Sequence, residues 1–291
     1  MTGRIILCAD DYGLSPGVSQ AIRMLIAANR ISATSAIVTR PSWMQDAAAL
    51  KPLRSEAAFG LHLNLTLGAP LSKDWRFNSS DRFPGISRLI AAAYTGRLKS
   101  SVVTAEIECQ LDRFETGIGN PPDFIDGHEH VHVLPVVRSS LLSILKRRYA
   151  RRPLLIRDPS PTAIKAGAGR GPRFKILALK LLARNIKRDV TRTGFITNDC
   201  FGGVTAFSAS AAAVTDDFAA AADLQGWRPL VMCHPGYPDA ELARLDTVTA
   251  RRQFEYDALM GTSPLSHMIW RPARSPEGVV AWPASAMERA T

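Results

Sequence analysis

The chain has 291 residues, 46% of them apolar, and a formal net charge of +10; the length suits one large α/β domain with an ordinary folded core. No apolar run approaches the roughly 18 to 20 residues of a membrane span, and the amino terminus reads as a strand ending in acids rather than a signal peptide, so a cytoplasmic protein is expected. The charge is local. Twelve basic residues against Asp158 and Asp189 fall between Arg151 and Arg192, and the rest of the chain balances. Cys8, Cys109, Cys200 and Cys233 are widely spaced, which points to buried reduced thiols rather than a disulfide frame or a zinc ribbon.

The run Ile5 to Ala9 reads as a strand buried on both faces, and it delivers Asp10-Asp11-Tyr12-Gly13 at its carboxyl end. Ser15-Pro16 supplies a helix cap and a proline at the first helical position, so capping alone does not account for two acids. In α/β folds ligands and reactive groups gather at that end of the sheet. Val18 to Ala28 has helical spacing, Ser35 to Thr39 a second strand and Met44 to Leu53 a second helix: the start of a layered β/α fold. The third strand, Ala58 to Thr66, alternates, with Leu61, Leu63 and Leu65 on one face and His62, Asn64 and Thr66 on the other. A polar stripe on an interior strand calls for a metal, a ligand or water.

Residues 68 to 83 read as a loop, and Ile86 to Tyr94 and Val102 to Phe114 as helices. Next comes Asp126-Gly127-His128-Glu129-His130-Val131-His132, which holds three of the six histidines. In an extended segment Asp126, His128, His130 and His132 share a face and Glu129 points away. Residues 157 to 171 read as a loop, and Arg173 to Val190 as an amphipathic helix with Phe174, Ala178, Leu181, Leu182 and Ile186 on one arc and Lys180, Arg184, Lys187 and Arg188 largely on the other. Such a basic face is solvated, covers an anionic substrate or touches anionic lipid. Without interleaved aromatics it does not suit nucleic acid. Pro229 to Cys233 is a last buried strand, delivering His234. Arg252 and Glu255 stand at pairing distance on a final helix, and the tail after Pro272 reads as loosely structured.

Three ligands of the imidazole and carboxylate kind with one position left for water describe a catalytic metal site, and a further acid and histidine supply the proton transfers of a hydrolysis. Asp10, Asp11, His62, the histidine cluster and His234 are the candidates.

The motifs Ala9-Asp10-Asp11-Tyr12-Gly13, Gly60-Leu61-His62-Leu63-Asn64-Leu65-Thr66, Asp126 to His132 and Met232-Cys233-His234-Pro235 resemble, in order, those of the YdjC-like carbohydrate deacetylases. The resemblance implies a distorted (β/α) TIM-like barrel forming a single domain over residues 1–291, with a basic lid-like segment at about 151–192. It implies removal of acetyl from an N-acetylated glycan or glycolipid with one divalent cation, Zn2+ or Mg2+. Asp11, His62 and His128 would hold the metal, Asp10 would be the general base and His234 the acid, and Asp126, His130, His132 and Asn64 would stand behind these groups or touch substrate. Family members often carry Phe at Tyr12 and His at Glu129. A homo-oligomer and a peripheral contact of 173–190 with an anionic membrane fit this picture, whereas nucleic acid does not. The rival readings are an amidohydrolase-type metallohydrolase, which usually carries its His-x-His pair on the first strand, and a non-catalytic glycan- or anion-binding protein.

Overall fold

A computed structural model describes residues 5–77, 81–162 and 170–284. In chain order the elements are β1 (Ile6–Tyr12), α1 (Pro16–Ala27), β2 (Ala33–Ala36), α2 (Trp43–Leu50), β3 (Ala58–Leu63), α3 (Ile86–Tyr94), α4 (Ser100–Ile118), β4 (Phe124–Gly127), α5 (Pro135–Tyr149) and β5 (Leu155–Ile156). They continue through α6 (Arg170–Ala183), α7 (Ile186–Arg192), β6 (Cys200–Gly202), α8 (Ala211–Ala222), β7 (Pro229–Cys233), α9 (Leu242–Leu245), α10 (Ala250–Met260), β8 (Ala273–Arg274) and β9 (Val280–Ala281). Strands β1 to β7 form one parallel sheet in the order β5-β4-β3-β2-β1-β7-β6. From β1, each direction around the sheet follows sequence order, and a Leu155–Ile196 bridge with Thr162 bonded to Phe201 draws the outer strands together. This is the expected distorted (β/α) barrel, built on seven strands.

Alternation assigns the two faces. Ile6, Cys8, Ala33, Ala58, Phe124, Leu155, Phe201, Leu230 and Met232 pack together inside the sheet, while Leu7, Ala9, Leu61, Leu63 and Val231 face the helices. Gly60 stands among the inward residues because the Phe124 ring occupies its side-chain space: a Cβ there would lie 2.5 Å from the ring. The tail is more ordered than its sequence suggests. Trp270 and Val280 fill the amino end of the interior, Trp282 stacks on Trp270, and β8 and β9 form a small hairpin.

Several expectations shift. Strand β2 starts two residues early and ends at Ala36. Residues 128 to 133 are not extended but form a tight helical turn in which Glu129 and His130 both have left-handed backbone, so the three histidines do not share a face. Arg157 opens the expected loop directly after β5, yet is fully buried. The basic helix breaks into α6 and α7, with Ile176, Leu179 and Ala183 buried and Leu181, expected on the inner arc, exposed. Residues 163–169 of the expected lid lie outside the described residues. No helix among the described residues is long and apolar enough to cross a membrane. All four cysteines are unpaired.

Candidate metal centre

Two neighbouring residues of a strand normally point to opposite faces, so Asp10 and Asp11 should diverge. A bulge between Ala9 and Tyr12 prevents it: Asp11 takes φ 70°, and both carboxylates reach the carboxyl end of the sheet. Asp is among the few side chains that tolerate this backbone. Capping makes no demand on either acid, because Ser15 accepts from the Val18 amide and the Asp239 carboxylate accepts from the Gly17 amide and the Ser15 hydroxyl. Tyr12 faces the helices and donates its hydroxyl to the Asp46 carbonyl at 2.7 Å, so the hydroxyl that distinguishes it from Phe is satisfied away from the site.

Parallel register places the partners. Ala9 lies opposite Cys233 and His62 opposite Asp126, so His234 follows β7 beside Asp10 and the His62 ring meets the Asp126 carboxylate. Asp11 Oδ1 lies 3.3 Å from His62 Nε2 and 3.0 Å from His128 Nδ1, and the three ligand atoms all lie within 4.8 Å of one another. His62 Nδ1 sits 2.7 Å from Asp126 Oδ1 and 3.0 Å from Ser35 Oγ. A proton held on Nδ1 by that carboxylate leaves the Nε2 lone pair toward Asp11, the arrangement of a metal-binding imidazole backed by an acid. Burial would lower the pKa of the metal-free His62, yet Asp126 and the hydrogen bond that the ring donates to Asp11 push it up to about 10. The pocket is built for positive charge, and one carboxylate with two imidazoles fits a divalent cation.

Two arginines hold the acids. Arg157 grips Asp10 with both terminal nitrogens at 2.6 Å and reaches Asp126 Oδ2 at 2.5 Å. Burial alone would raise Asp10, but the guanidinium outweighs it and holds the carboxyl well below the usual range. Arg252 binds Asp11 Oδ2 and Asp246 Oδ2, each at 2.6 Å. It does not pair with Glu255, whose partner is Arg251 one turn away at 2.7 Å and whose other oxygen accepts the His234 amide. Neither arginine stands out in the sequence as a site residue. The available signal for Arg157 is its position directly after an apolar strand, as with Asp10, His62 and His234.

The remaining candidates separate. Asn64 is turned away from Asp11, His62 and His128: its side chain bonds Thr39 and the backbone of residues 66 and 67, pinning the turn after β3. His132 donates from Nε2 to the Arg157 carbonyl at 2.9 Å, which steadies the arginine that grips Asp10. His130 turns its ring toward Phe201 and His132, and burial followed by the Arg157 charge pushes its pKa well down. His234 is held neutral mainly by burial, although Asp11 and Asp10 oppose this. Beside His128 opens a cleft of about 650 Å³, lined also by Thr66, Arg88, Glu129 and Asp246. Glu129 is exposed there; the left-handed turn removes the alternation that would have sent it away.

His132 gives a stability prediction. Burial pushes it down to about 4 from 6.5. The folded state therefore binds its proton less tightly than the unfolded chain, and stability present above about 6.5 is lost as pH falls toward 4, by up to about 3 kcal/mol. Urea unfolding of the wild type and His132→Gln across this window should show a shallower slope in the variant. Parallel curves refute the assignment.

A parallel barrel that gathers two carboxylates and two imidazoles at the carboxyl ends of its strands belongs to the class of α/β barrels with a polar, cation-suited centre. The chain belongs to the YdjC-like protein family, whose model matches residues 4–266. It is 29% identical to the human carbohydrate deacetylase over 249 residues, 81% of this chain and 75% of that protein. It is 34% identical to the zebrafish (Danio rerio) carbohydrate deacetylase over 146 residues, 49% of this chain and 46% of that protein. It is 32% identical to the chitooligosaccharide deacetylase of Enterobacter sp. (strain 638) over 140 residues, 46% of this chain and 52% of that protein. The zebrafish and bacterial matches thus span about half of those relatives. A crystal structure from Enterococcus faecalis V583, provisionally assigned to cellobiose-phosphate cleavage, shares the fold with TM-score 0.68 at 20% identity, covering 92% of this chain and 94% of that one.

Proposed function

We propose that the protein is a carbohydrate deacetylase, hydrolysing the acetamide of an N-acetylated sugar. One observation carries this reading: an ionised carboxylate, Asp10, is clamped beside a carboxylate and two imidazoles that converge within 4.8 Å of one another. The names of the relatives supply the substrate class. Asp11, His62 and His128 would hold one divalent cation, and two nitrogen donors favour a borderline metal such as zinc, with magnesium the alternative. When bound, such a cation acidifies water and polarises an amide carbonyl.

The chain's own groups do the rest. Asp10, kept charged by Arg157, accepts a proton from water as it attacks the carbonyl carbon. A carboxyl with a low pKa gives that proton up readily, and the departing nitrogen needs it. His234, neutral at rest, acts as donor once it has received a proton, so it carries rather than stores one. Asp126 holds the His62 ring in orientation. Thr66, whose buried hydroxyl has no partner among the described residues, gives the cleft a group for a sugar hydroxyl.

The test is acetate release from chito-oligosaccharides, N-acetylglucosaminyl lipids and simple acetamides, with and without chelator. Release should stop with chelator and return with one divalent metal. Release that persists without metal overturns the site assignment, and metal-loaded protein that releases nothing from any substrate overturns the activity. His62→Ala should lower metal stoichiometry along with turnover.

A further inference from the structure

Apart from Arg157, which clamps Asp10, the basic segment plays no part in the chemistry above, and its helix α6 has an unusual distribution of side chains. Helix α6 buries Ile176, Leu179 and Ala183 against the protein. At 100° per residue these lie on one arc. On the opposite arc stand Leu177 and Leu181, 66% and 61% exposed. A surface helix ordinarily turns polar side chains outward; α6 is apolar on both sides. Lys180 lies between the buried arc and Leu177, at the flank of the apolar pair, and is half-buried. Arg184 follows one turn beyond Leu181, at the break before α7, and Lys187 and Arg188 are exposed at the start of α7. The nearby acid, Asp189, is already engaged by Arg138 at 2.9 Å and by Arg188 at 3.0 Å. Lys180, Arg184 and Lys187 have no ion-pair partner among the described residues.

We propose that this outward face of α6, with the cations that follow it, seats on an anionic lipid surface, the leucines entering the boundary of the acyl chains and the lysines and arginines meeting the headgroups. Charge complementarity selects the occupant. Cations around an apolar pair match a layer that is anionic at its surface and hydrocarbon beneath. A nucleic-acid backbone would use the cations but gives two exposed leucines nothing to enter, and a stacking platform requires aromatic rings in their place. The contact is peripheral, since no helix among the described residues is long and apolar enough to cross a bilayer. It is independent of the proposed activity.

The experiment is co-sedimentation of the full chain with vesicles of phosphatidylcholine alone or of an equal mixture with phosphatidylglycerol. The wild type should pellet with the mixed vesicles and not with phosphatidylcholine, and added salt should release it. The double variant Leu177→Ser, Leu181→Ser and the triple variant Lys180→Gln, Arg184→Gln, Lys187→Gln should each lower the partition coefficient at least about tenfold. Because none of these side chains is buried and none has a part in the proposed chemistry, thermal unfolding and acetate release from a soluble chito-oligosaccharide should match the wild type in both variants. Wild-type protein that stays in the supernatant, or variants that pellet as well as the wild type, overturn the proposal. So does binding to an RNA oligomer that the cation variant loses and the leucine variant keeps. A chain that pellets as expected but releases no acetate counts against the deacetylase reading alone.

Discussion

Asp10→Asn should lower kcat/KM for acetate release by about 10²- to 10⁴-fold, the range typical of losing a positioned general base. The fold should survive. The amide keeps an oxygen for Arg157, and Arg157 keeps Asp126 at 2.5 Å, so the stability cost should stay at about 1–2 kcal/mol. Metal stoichiometry should be unchanged, because Asp11, His62 and His128 are untouched. The informative combination is a folded, metal-loaded, inactive variant. Activity within tenfold of wild type would remove Asp10 from the proton transfer and leave the water to be deprotonated by another group.

Arg157→Met should be the most destabilising single change at the site, by about 3–5 kcal/mol, because it strands Asp10 and Asp126 as like charges in the interior. The pH dependence identifies the cause. In the wild type the folded pKa of Asp10 is depressed below 3.8, so its contribution is fully present above that value and is lost only as pH falls further. Without the guanidinium, burial dominates and raises the carboxyl instead. The variant then binds a proton on folding, and its deficit should shrink as pH falls from about 7 toward 5. Urea unfolding of both proteins in chelator across that interval reads the difference. A deficit independent of pH would mean that the loss reflects packing rather than stranded charge. The acid limb of the activity profile should also move upward, since Asp10 would have to lose its proton at higher pH before it could accept one.

Much of the site is legible along the chain. Asp10, His62 and His234 each end or interrupt an apolar strand, and a buried run that stops at a polar side chain marks the carboxyl edge of a parallel sheet from residue pattern alone. The helix Ile86–Tyr94 and the strand Pro229–Cys233 coincide with their periodic patterns because apolar spacing and flanking turn residues agree there. The histidine cluster misleads. Spacing of two promises a shared face only if the backbone is extended, and the left-handed pair Glu129-His130 carries no mark in residue type that distinguishes it from strand. Arg252 misleads in another way: Glu255 stands at helical spacing, yet the partners that hold the arginine are Asp11, 241 residues away in the chain, and Asp246.

Hydrophobic period and turn chemistry are local properties. They suffice for the layered β/α order, for β1, β2, β3 and β7, and for the supply of carboxylates and imidazoles at the strand ends, but not for the short strands β5 and β6. How those groups are divided depends instead on contacts made across the fold. A bulge turns Asp11 to the same side as Asp10. A left-handed turn sends His128 to Asp11 and the two histidines after it elsewhere. Two arginines distant in sequence each take one of the adjacent acids. Two carboxylates of the same kind thus acquire different surroundings, and no periodicity along one chain records which distant charge will be buried against which.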